Sequence, residues 1–234
     1  MAPPEPTRQT LPALSIVLPA LNEAAGIERT LMRLQPMRAR GVEIVLVDGG
    51  SADNTLEQAR PWVDQLLCTA RGRAVQMNAG ALAARGAVLL FLHADTLLPA
   101  EADREVLSAM AKGARWGRFD VQIEGRARML RVVGALMNLR SRLSGIATGD
   151  QAVFVSRQAF EQVGGFPVQA LMEDIELSRR LKRLGRPTCL RARVRTSGRR
   201  WATRGVWRTI FLMWRLRWRY WRGESAEQLA RDYR

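Results

Sequence analysis

Histidine, cysteine and lysine are scarce in this sequence, and each shortage limits what the protein can be. Its 234 residues include one histidine and two cysteines, and Cys68 and Cys189 stand far apart, outside any ligand-like cluster. This usage argues against a disulfide framework and favours a reducing, cytoplasmic setting. No apolar run reaches the ~18 residues that suggest a membrane span. The first 13 residues are Pro-rich and polar, which predicts a short disordered arm and no signal peptide.

Negative charge is also in short supply, especially near the end of the chain. The net charge is +15, from 37 basic and 22 acidic residues. Only Lys112 and Lys182 are lysines, so the other 35 basic residues are arginines. After Glu176 the only acids are Glu224, Glu227 and Asp232. Such a balance favours partners that carry phosphate, namely nucleic acid, anionic lipid or phosphorylated ligands.

Short apolar runs alternate with helical patterns through the first hundred residues. The runs "LSIVLPALNE", "VEIVLVDGG", "VDQLLCTA" and "AVLLFLHAD" predict four strands, the third the weakest. A helix is expected over residues 24–34 with Asn22 as its cap, and another after Ser51 or Asp53. This order predicts an α/β fold with a doubly wound, mostly parallel sheet flanked by helices. Further on, "RWGRFDVQIEG" alternates like an exposed strand.

Three acids follow three of the predicted strands. Glu23, Asp48 and Asp95 come just past the strand ends, where ligands bind in sheets of this kind. Gathered carboxylates repel each other unless a cation or a hydroxyl-rich ligand joins them. The pattern therefore predicts a binding site at this edge of the sheet.

Four motifs in order resemble glycosyltransferase family 2, whose members have the GT-A nucleotide-sugar fold. "PALNE" is similar to the family's P-x-x-N-E element, and "VDGGSADNT" to its D-x-x-S-x-D-x-T element. "HAD" stands where the family carries D-x-D, and "GGF" followed by "MEDIELSRRLKRLG" resembles its acceptor-side turn and helix. The resemblance covers about residues 14 to 201, with histidine in place of the first aspartate of D-x-D.

The resemblance implies a nucleotide-sugar site. Asp48 would accept hydrogen bonds from the base, since a carboxylate suits the imide N–H of uracil. Arginines would neutralise the diphosphate. The residues expected to bind the donor are Pro19, Leu21, Glu23, Asp48, Arg71, Arg73, Asn78 and Ala94.

"HAD" also marks the expected metal site. By resemblance Asp95 would ligate Mg²⁺ or Mn²⁺, which takes its remaining ligands from phosphate and water. Because side chains alternate along a strand, we expect His93 and Asp95 at the end of the fourth strand to point to the same face. His93 would then ligate the metal, contact the ribose or orient Asp95; a buried structural histidine is the alternative.

Asp174 is the expected general base of an inverting transfer, because a carboxylate must take the proton of the acceptor hydroxyl. Its alternative role is to serve the N-terminus of its helix. "SGRRW" partly matches the Q-x-x-R-W of processive synthases, with Ser197 at the glutamine position, so transfer of a single sugar is expected. The residues expected on the acceptor side are Gly149, Asp150, Gln151, Glu173, Arg200 and Trp201.

The tail "RGVWRTIFLMWRLRWRYWRG" has the pattern of an amphipathic Arg/Trp-rich helix. One face is expected to carry Trp207, Ile210, Phe211, Trp214, Trp218 and Trp221. Leu212, Met213 and Leu216 lie opposite, with Arg208, Arg215, Arg219 and Arg222 on one flank. The Trp face is expected to lie at an anionic membrane, near a lipid-linked acceptor, while the opposite face docks on the domain. We expect a cytoplasmic protein held peripherally at the inner face of the cell membrane.

The predicted organisation is a disordered arm at residues 1–13, a GT-A domain at 14–200 and a helical tail at 201–234. The predicted function is transfer of one sugar from a UDP-sugar, in preference to a GDP-sugar, to a sugar, lipid-linked or small-molecule acceptor. A nucleotidyltransferase is an alternative, but that class usually has a basic Gly-rich loop after its first strand, where this chain has the acidic "PALNEAAG". A nucleic-acid- or anionic-lipid-binding protein is another alternative; it explains the charge but not the rim of acids.

Overall fold

The computed structural model describes residues 11–125 and 127–233, except for the side chain of Arg200. Most of the predicted N-terminal arm therefore lies outside the described residues. The strands are β1 (Leu14–Ala20), β2 (Glu43–Asp48), β3 (Gln65–Cys68), β4 (Val88–Phe91), β5 (Thr96–Leu97), β6 (Trp116–Ile123), β7 (Phe154–Ser156) and β8 (Thr188–Thr196). The helices are α1 (Ile27–Arg38), α2 (Thr55–Ala59), α3 (Arg73–Ala83), α4 (Ala102–Ala111), α5 (Met129–Ser144), α6 (Arg157–Gln162), α7 (Glu173–Leu181), α8 (Arg199–Arg204), α9 (Val206–Trp221) and α10 (Ala226–Tyr233).

One eight-stranded sheet has the order β3-β2-β1-β4-β7-β6-β8-β5. Strands β3, β2, β1 and β4 are parallel neighbours, while β7 runs antiparallel to both β4 and β6. Pro19 sits in β1 without breaking a ladder, because β4 pairs only with Leu14 to Val17. The predicted doubly wound, mostly parallel sheet is confirmed.

Helices cover both faces of the sheet, and each face has its own core. Alternate residues of one strand go to opposite clusters: Ile16 and Leu18 pack with α1, whereas Val17 packs with α3. Close packing at the second face requires a glycine, since a Cβ on Gly80 would lie 2.4 Å from Val17 Cγ1. Both faces of the sheet are buried, as the near-continuous apolar runs of the strands indicated.

Two sequence-based expectations about elements were wrong. The first helix begins at Ile27, preceded by Gly26, and no side chain caps it. Strand β6 is buried along almost its whole length, although it was expected to be exposed. Its Arg118 and Asp120 pair with each other, which lets two charges enter the interior.

The tail folds as three helices. In α9, Leu216 is buried against Leu171, Met172 and Leu229, with Leu212 and Met213 beside it. This is the apolar face that was expected to dock on the domain. Ile210 departs from the expected Trp face, because it packs with Val206 and Trp201 against β6 and α5. Arg219 turns to Glu224 and Asp232, which hold α10 against α9.

Candidate active site

The loops after β1 and β2 are tied together by side chains. Asn22 N donates to Ser51 Oγ at 2.8 Å, and Asn22 Oδ1 accepts from Ala52 N at 2.9 Å. Asp53 Oδ2 accepts from Ala24 N at 3.1 Å. Asn22 and Ser51 were expected to cap helices, and this expectation was wrong, because they bridge two loops instead; Asp53 does both, since its Oδ1 also accepts from Thr55 N at the start of α2 at 3.1 Å. The bridge fixes the edge of the sheet on which the first two acids stand.

Asp48 lies buried at the end of β2, and its carboxylate is engaged by its own turn. Oδ2 accepts from Gly50 N and Ser51 N at 2.8 Å each, and Oδ1 accepts from the Ser51 hydroxyl. Nearby, the partly exposed Pro19 and Leu21 border the same edge. Asp48 therefore shapes the edge of the sheet, and its carboxylate, with about four acceptor positions, uses three of them in its own turn.

Glu23 faces α8 across this edge. Its Oε2 lies 3.2 Å from Arg199 Nη2, joining the first strand's loop to the chain 176 residues later. Sequence reasoning missed Arg199, since it singled out the neighbours Arg200 and Trp201. The signal was present in "SGRRW", but only the fold shows which arginine reaches Glu23. Arg200's side chain is not among the described ones.

The chain leaves β4 at Phe91, before "HAD" begins. A tight turn follows, in which Thr96 N donates to His93 O at 3.0 Å. Strand alternation therefore does not apply to His93 and Asp95, and that expectation was wrong. His93 Nδ1 lies 3.4 Å from Asp150 Oδ1. Among the described residues, Asp95 accepts one long side-chain hydrogen bond, from Thr96 Oγ1 at 3.4 Å, which leaves most of its lone pairs unused there.

Gly149 lies between His93 and Asp174 and contacts both. A Cβ on this glycine would lie 2.3 Å from His93 Nε2, so the imidazole packs directly on the glycine backbone. Gly149 N donates to Asp174 Oδ2 at 2.8 Å. Only a residue without a side chain fits between His93 and Asp174, and this explains the glycine physically.

Asp174 stands in a narrow cavity at the start of α7. His93, Gly149 and Glu173 line it together with the apolar side chains of Met77, Phe91, Val153, Phe166 and Leu177. Burial raises the pKa of the Asp174 carboxyl to about 6, and the charge of Glu173 adds to this. Hydrogen bonds from Gly149 N and Ile175 N, with the charge of Arg73, act in the opposite direction. A carboxylate with this pKa is ionised at neutral pH yet basic enough to accept a proton.

Arg73, the first residue of α3, forms an ion pair with Glu173, the neighbour of Asp174. Its Nη1 lies 3.2 Å from Oε1 of Glu173, a carboxylate with a side chain only 4% exposed. The neighbouring Arg71 is exposed at the same loop. The structure thus brings Arg73, Glu173, Asp174, Asp150 and His93 into one cluster.

Strained backbone adjoins this cluster at several points. Among the described residues, the non-glycine residues with positive φ are Asn22 (53°), Ala152 (46°) and Met172 (65°). Asn22 precedes Glu23, Ala152 follows Gln151, and Met172 precedes Glu173. Such conformations cost about 1–3 kcal/mol each and concentrate at functional sites.

Some predicted site residues have structural contacts instead. Asn78 makes two hydrogen bonds to the backbone of Phe166, at 2.8 and 2.9 Å, and so holds the Gly-Gly turn on α3. Gln151 is fully buried and bonds Thr148 N. The carbonyl of Ala94 accepts from Thr30 Oγ1 at 2.7 Å, and Trp201 packs beside Leu130 and Val133. Direct ligand contacts by these four residues stay predictions.

The described residues contain no cluster of three or more His, Cys, Asp or Glu side chains arranged for a metal. Asp95 nevertheless offers a hard, largely unengaged carboxylate, the ligand type that Mg²⁺ and Mn²⁺ take when phosphates complete the shell. The donor set therefore fits a cation shared with a bound diphosphate. His93 is less available than Asp95, because its two ring nitrogens face Asp150 and Gly149.

Comparison with known proteins points in one direction. A family model described as glycosyl transferase family 2 matches residues 15–183. A PGL/p-HBAD biosynthesis glycosyltransferase of Mycobacterium tuberculosis is 39% identical over 94 residues, which cover 37% of this chain and 37% of that protein. The chain therefore matches well under half of the length of this curated relative.

Solved structures share the fold at low identity. S. aureus TarS 1-349 in complex with UDP gives a TM-score of 0.64 at 18% identity, over 79% of this chain and 60% of that one. A mannosyltransferase from Pyrobaculum calidifontis in complex with GDP-Man and Mn²⁺ gives 0.60 at 21%, over 80% and 57%. Glucosyl-3-phosphoglycerate synthase from M. tuberculosis, with Mn²⁺, UDP and glucosyl-3-phosphoglycerate, gives 0.58 at 20%, over 79% and 71%.

These likenesses establish a GT-A fold. The family match spans most of the sheet and includes Glu23, Asp48, Asp95 and Asp174. On that match, the chain belongs to glycosyl transferase family 2.

Proposed function

We propose that this protein is an inverting glycosyltransferase that moves one sugar from a nucleotide-diphosphate sugar to an acceptor hydroxyl. The observation that carries the proposal is the enclosed carboxylate of Asp174, which lines one cavity with His93 and accepts from Gly149 N. Inversion needs one base near the acceptor and a separate site for the leaving diphosphate. We assign Asp174 to the first of these roles and the turn that carries Asp95 to the second.

In this reaction Asp174 takes the proton of the acceptor hydroxyl as the oxygen attacks the anomeric carbon, and the nucleoside diphosphate leaves. Each Asp174 oxygen already accepts one backbone N–H, from Gly149 and Ile175, at 2.8 and 2.7 Å. These bonds fix the orientation of the carboxylate and leave lone pairs for the acceptor. Arg73 holds Glu173 and so keeps the neighbouring charge in place.

The donor lies along the rim. Asp48 and the loop of Glu23 face the nucleoside, and Arg71 and Arg73 lie within the loop that faces the phosphates. Asp95, assisted by His93, would hold Mg²⁺ or Mn²⁺, which neutralises charge on the diphosphate when bound. We propose UDP over GDP from the resemblance to the family; the Asp48 carboxylate can accept the imide N–H of uracil, as it could the N1–H of guanine. The structures of TarS and of glucosyl-3-phosphoglycerate synthase contain UDP, whereas that of the mannosyltransferase contains GDP-Man.

We also propose that the tail holds the enzyme at the inner face of the cell membrane, near a lipid-linked acceptor. Trp207, Phe211, Trp214, Trp218 and Trp221 of α9 are 57% to 79% exposed. Arg208, Arg215 and Arg222 are exposed on the flank of this face. An apolar face bordered by arginines fits the interface of an anionic bilayer. No helix among the described residues is both long and apolar enough to cross one.

Thermal unfolding with UDP, GDP or ADP, each with Mn²⁺, Mg²⁺ or EDTA, tests the donor assignment. A ligand specific for the folded state stabilises it by about 2.7 kcal/mol at a hundredfold excess over its dissociation constant. UDP with Mn²⁺ or Mg²⁺ is expected to raise the melting temperature, and Asp95→Asn to remove the metal-dependent part. Glu161→Gln, a change at an exposed acid of α6, is the control and should keep the full shift. Stabilisation by none of the nucleotides would contradict the proposal.

A further inference from the structure

One arginine beside the base carries hydrogen-bond donors that nothing in the described structure accepts. Arg140, near the end of α5, has its Nε and Nη2 atoms shielded from solvent, and neither has a hydrogen-bond partner there. Buried donors of this kind are costly, and for a charged group the cost is larger. Two buried guanidinium donors without acceptors in a native structure therefore call for an explanation.

The two unpartnered atoms form a single recognition edge. Nε–H and the Nη2–H beside it are the parallel donors of a guanidinium that bind two oxygens of one carboxylate or phosphate. The other arginines around this point lack such an open edge. Arg118 donates to Asp120, Ser141 and the carbonyl of Asn138, and Arg142 donates to the second oxygen of Asp120 at 2.6 Å.

Charge balance agrees with this geometry. Both oxygens of Asp120 already accept from other arginines, Arg118 and Arg142, and neither bonds Arg140 Nε or Nη2 in the described structure. Burial lowers the pKa of the Arg140 guanidinium; the charge of Asp174 opposes this, and that of Arg118 adds to it. Asp174 therefore lies within electrostatic reach of Arg140, but no hydrogen bond joins Asp174 to Arg140 Nε or Nη2 in the described structure. These two donors thus have no carboxylate partner there.

We propose that Arg140 binds an anionic group of the acceptor, a phosphate or carboxylate that presents two oxygens to its Nε/Nη2 edge beside Asp174. This inference rests on the proposed transferase function, and it names the substrate class of the same site. The acceptor would be an acidic molecule whose reactive hydroxyl lies close to its anionic group. Binding would pair the buried guanidinium and place that hydroxyl at the base.

The test measures anion binding with the donor site already filled. Thermal unfolding is followed in saturating UDP and Mg²⁺ while glycerol 3-phosphate or acetate is added, with sodium chloride at the same ionic strength as reference. A tenfold excess over the dissociation constant is expected to raise the melting temperature by about 3–6 °C. Phosphate and carboxylate probes separate the two sources of the anion, and a specific shift with either supports the proposal.

Variants locate the effect. Arg140→Met keeps the alkyl stem and should abolish the anion shift, and Arg140→Lys, which keeps the charge without the fork, should weaken it. Arg131→Met changes an exposed arginine of the same helix and should keep the shift. Without anion, Arg140→Met is expected to melt no lower than the wild type, because it removes an unpaired buried cation. A purely structural arginine would instead lose stability on this change.

The outcomes separate the two proposals. If UDP with Mg²⁺ stabilises the wild type but neither anion adds a shift, the acceptor inference is overturned and the donor assignment stands. It is equally overturned if Arg140→Met and Arg140→Lys keep the full anion shift. If UDP with metal gives no stabilisation at all, the proposed function itself fails.

Discussion

At the scale of single residues, the chemistry depends on the protonation of Asp174. The carboxyl must be ionised to act as a base, and burial raises its pKa to about 6. Activity is therefore expected to be constant above about pH 7 and to fall about tenfold per pH unit below 6. Nucleotide release from a panel of UDP-sugars, measured as kcat/KM against pH, shows this limb. Asp174→Asn should lower the rate by about 10²–10⁴-fold above pH 7, and the gap should narrow below pH 6 as the wild-type base becomes protonated.

The same pKa makes a prediction about stability. A carboxyl whose pKa is higher in the folded than in the unfolded protein weakens folding once it ionises. The penalty grows as pH rises from about 4 to about 6 and is complete above that. Asp174→Asn should therefore be more stable than the wild type at pH 8 and not at pH 4. Equal stability differences at both pH values would contradict a buried, ionising Asp174.

Gly149 offers a second test at this scale. In Gly149→Ala the new Cβ would lie 2.3 Å from His93 Nε2, so the imidazole or the 149–151 turn must move. Overpacking of this kind costs typically about 1–3 kcal/mol, and the Gly149–Asp174 hydrogen bond should weaken with it. Urea unfolding and nucleotide release measure the two effects. Gly26→Ala, with no atom within 4 Å of the added Cβ, should keep its stability; an equal loss there would remove the steric argument.

At the scale of elements, patterns within one segment were predictable and contacts between segments were not. The apolar runs of β1, β2 and β4 show their burial directly, since both faces of these strands are covered. Strand β6 was misjudged because Arg118 and Asp120 look solvent-facing until they are seen to pair. The link from Asn22 to Ser51 joins residues 29 apart, which helix-cap rules do not include.

The same limit applies to the site. Glu23, Asp48, Asp95 and Asp174 could be located from motifs, because each follows or opens an element with a clear pattern. The contact between Arg199 and Glu23 and the packing of His93 on Gly149 depend on long-range geometry. The sequence contains those residues, but it gives no signal of their distances.

The docking of α9 is an element-scale property that a single substitution probes. Leu216 is fully buried between α9, α10 and the segment before α7. Leu216→Ala should cost about 2–5 kcal/mol and expose the tail to limited proteolysis. Trp214 lies on the opposite face of α9 and is 66% exposed, so Trp214→Ala should leave stability and cleavage unchanged. If both variants are cleaved at the wild-type rate, α9 is not held by this contact.

At the scale of the whole molecule, exposed arginines and exposed tryptophans occur together on α9. The net charge is +15, and most acids of the first half are used at the rim or in ion pairs. In the tail, Glu224 and Asp232 form ion pairs with Arg219, while exposed arginines near the two ends of α9, Arg208 and Arg222, border the Trp face. The proposed catalytic residues and the proposed membrane face therefore lie on different elements, so variants are expected to change one property without the other.

Binding to vesicles tests this separation. The protein should sediment with phosphatidylglycerol-containing vesicles at low salt. It should stay in the supernatant with pure phosphatidylcholine vesicles or at high salt. Arg215→Gln is expected to lower the partition coefficient about fivefold, since one arginine near an anionic surface contributes about 1 kcal/mol. Trp214→Ala should also weaken binding while leaving UDP stabilisation intact. Arg33→Gln removes the same charge from an exposed position of α1 and should bind like the wild type. Equal losses in Arg33→Gln and Arg215→Gln would mean that overall charge, not the α9 face, attracts the protein to lipid.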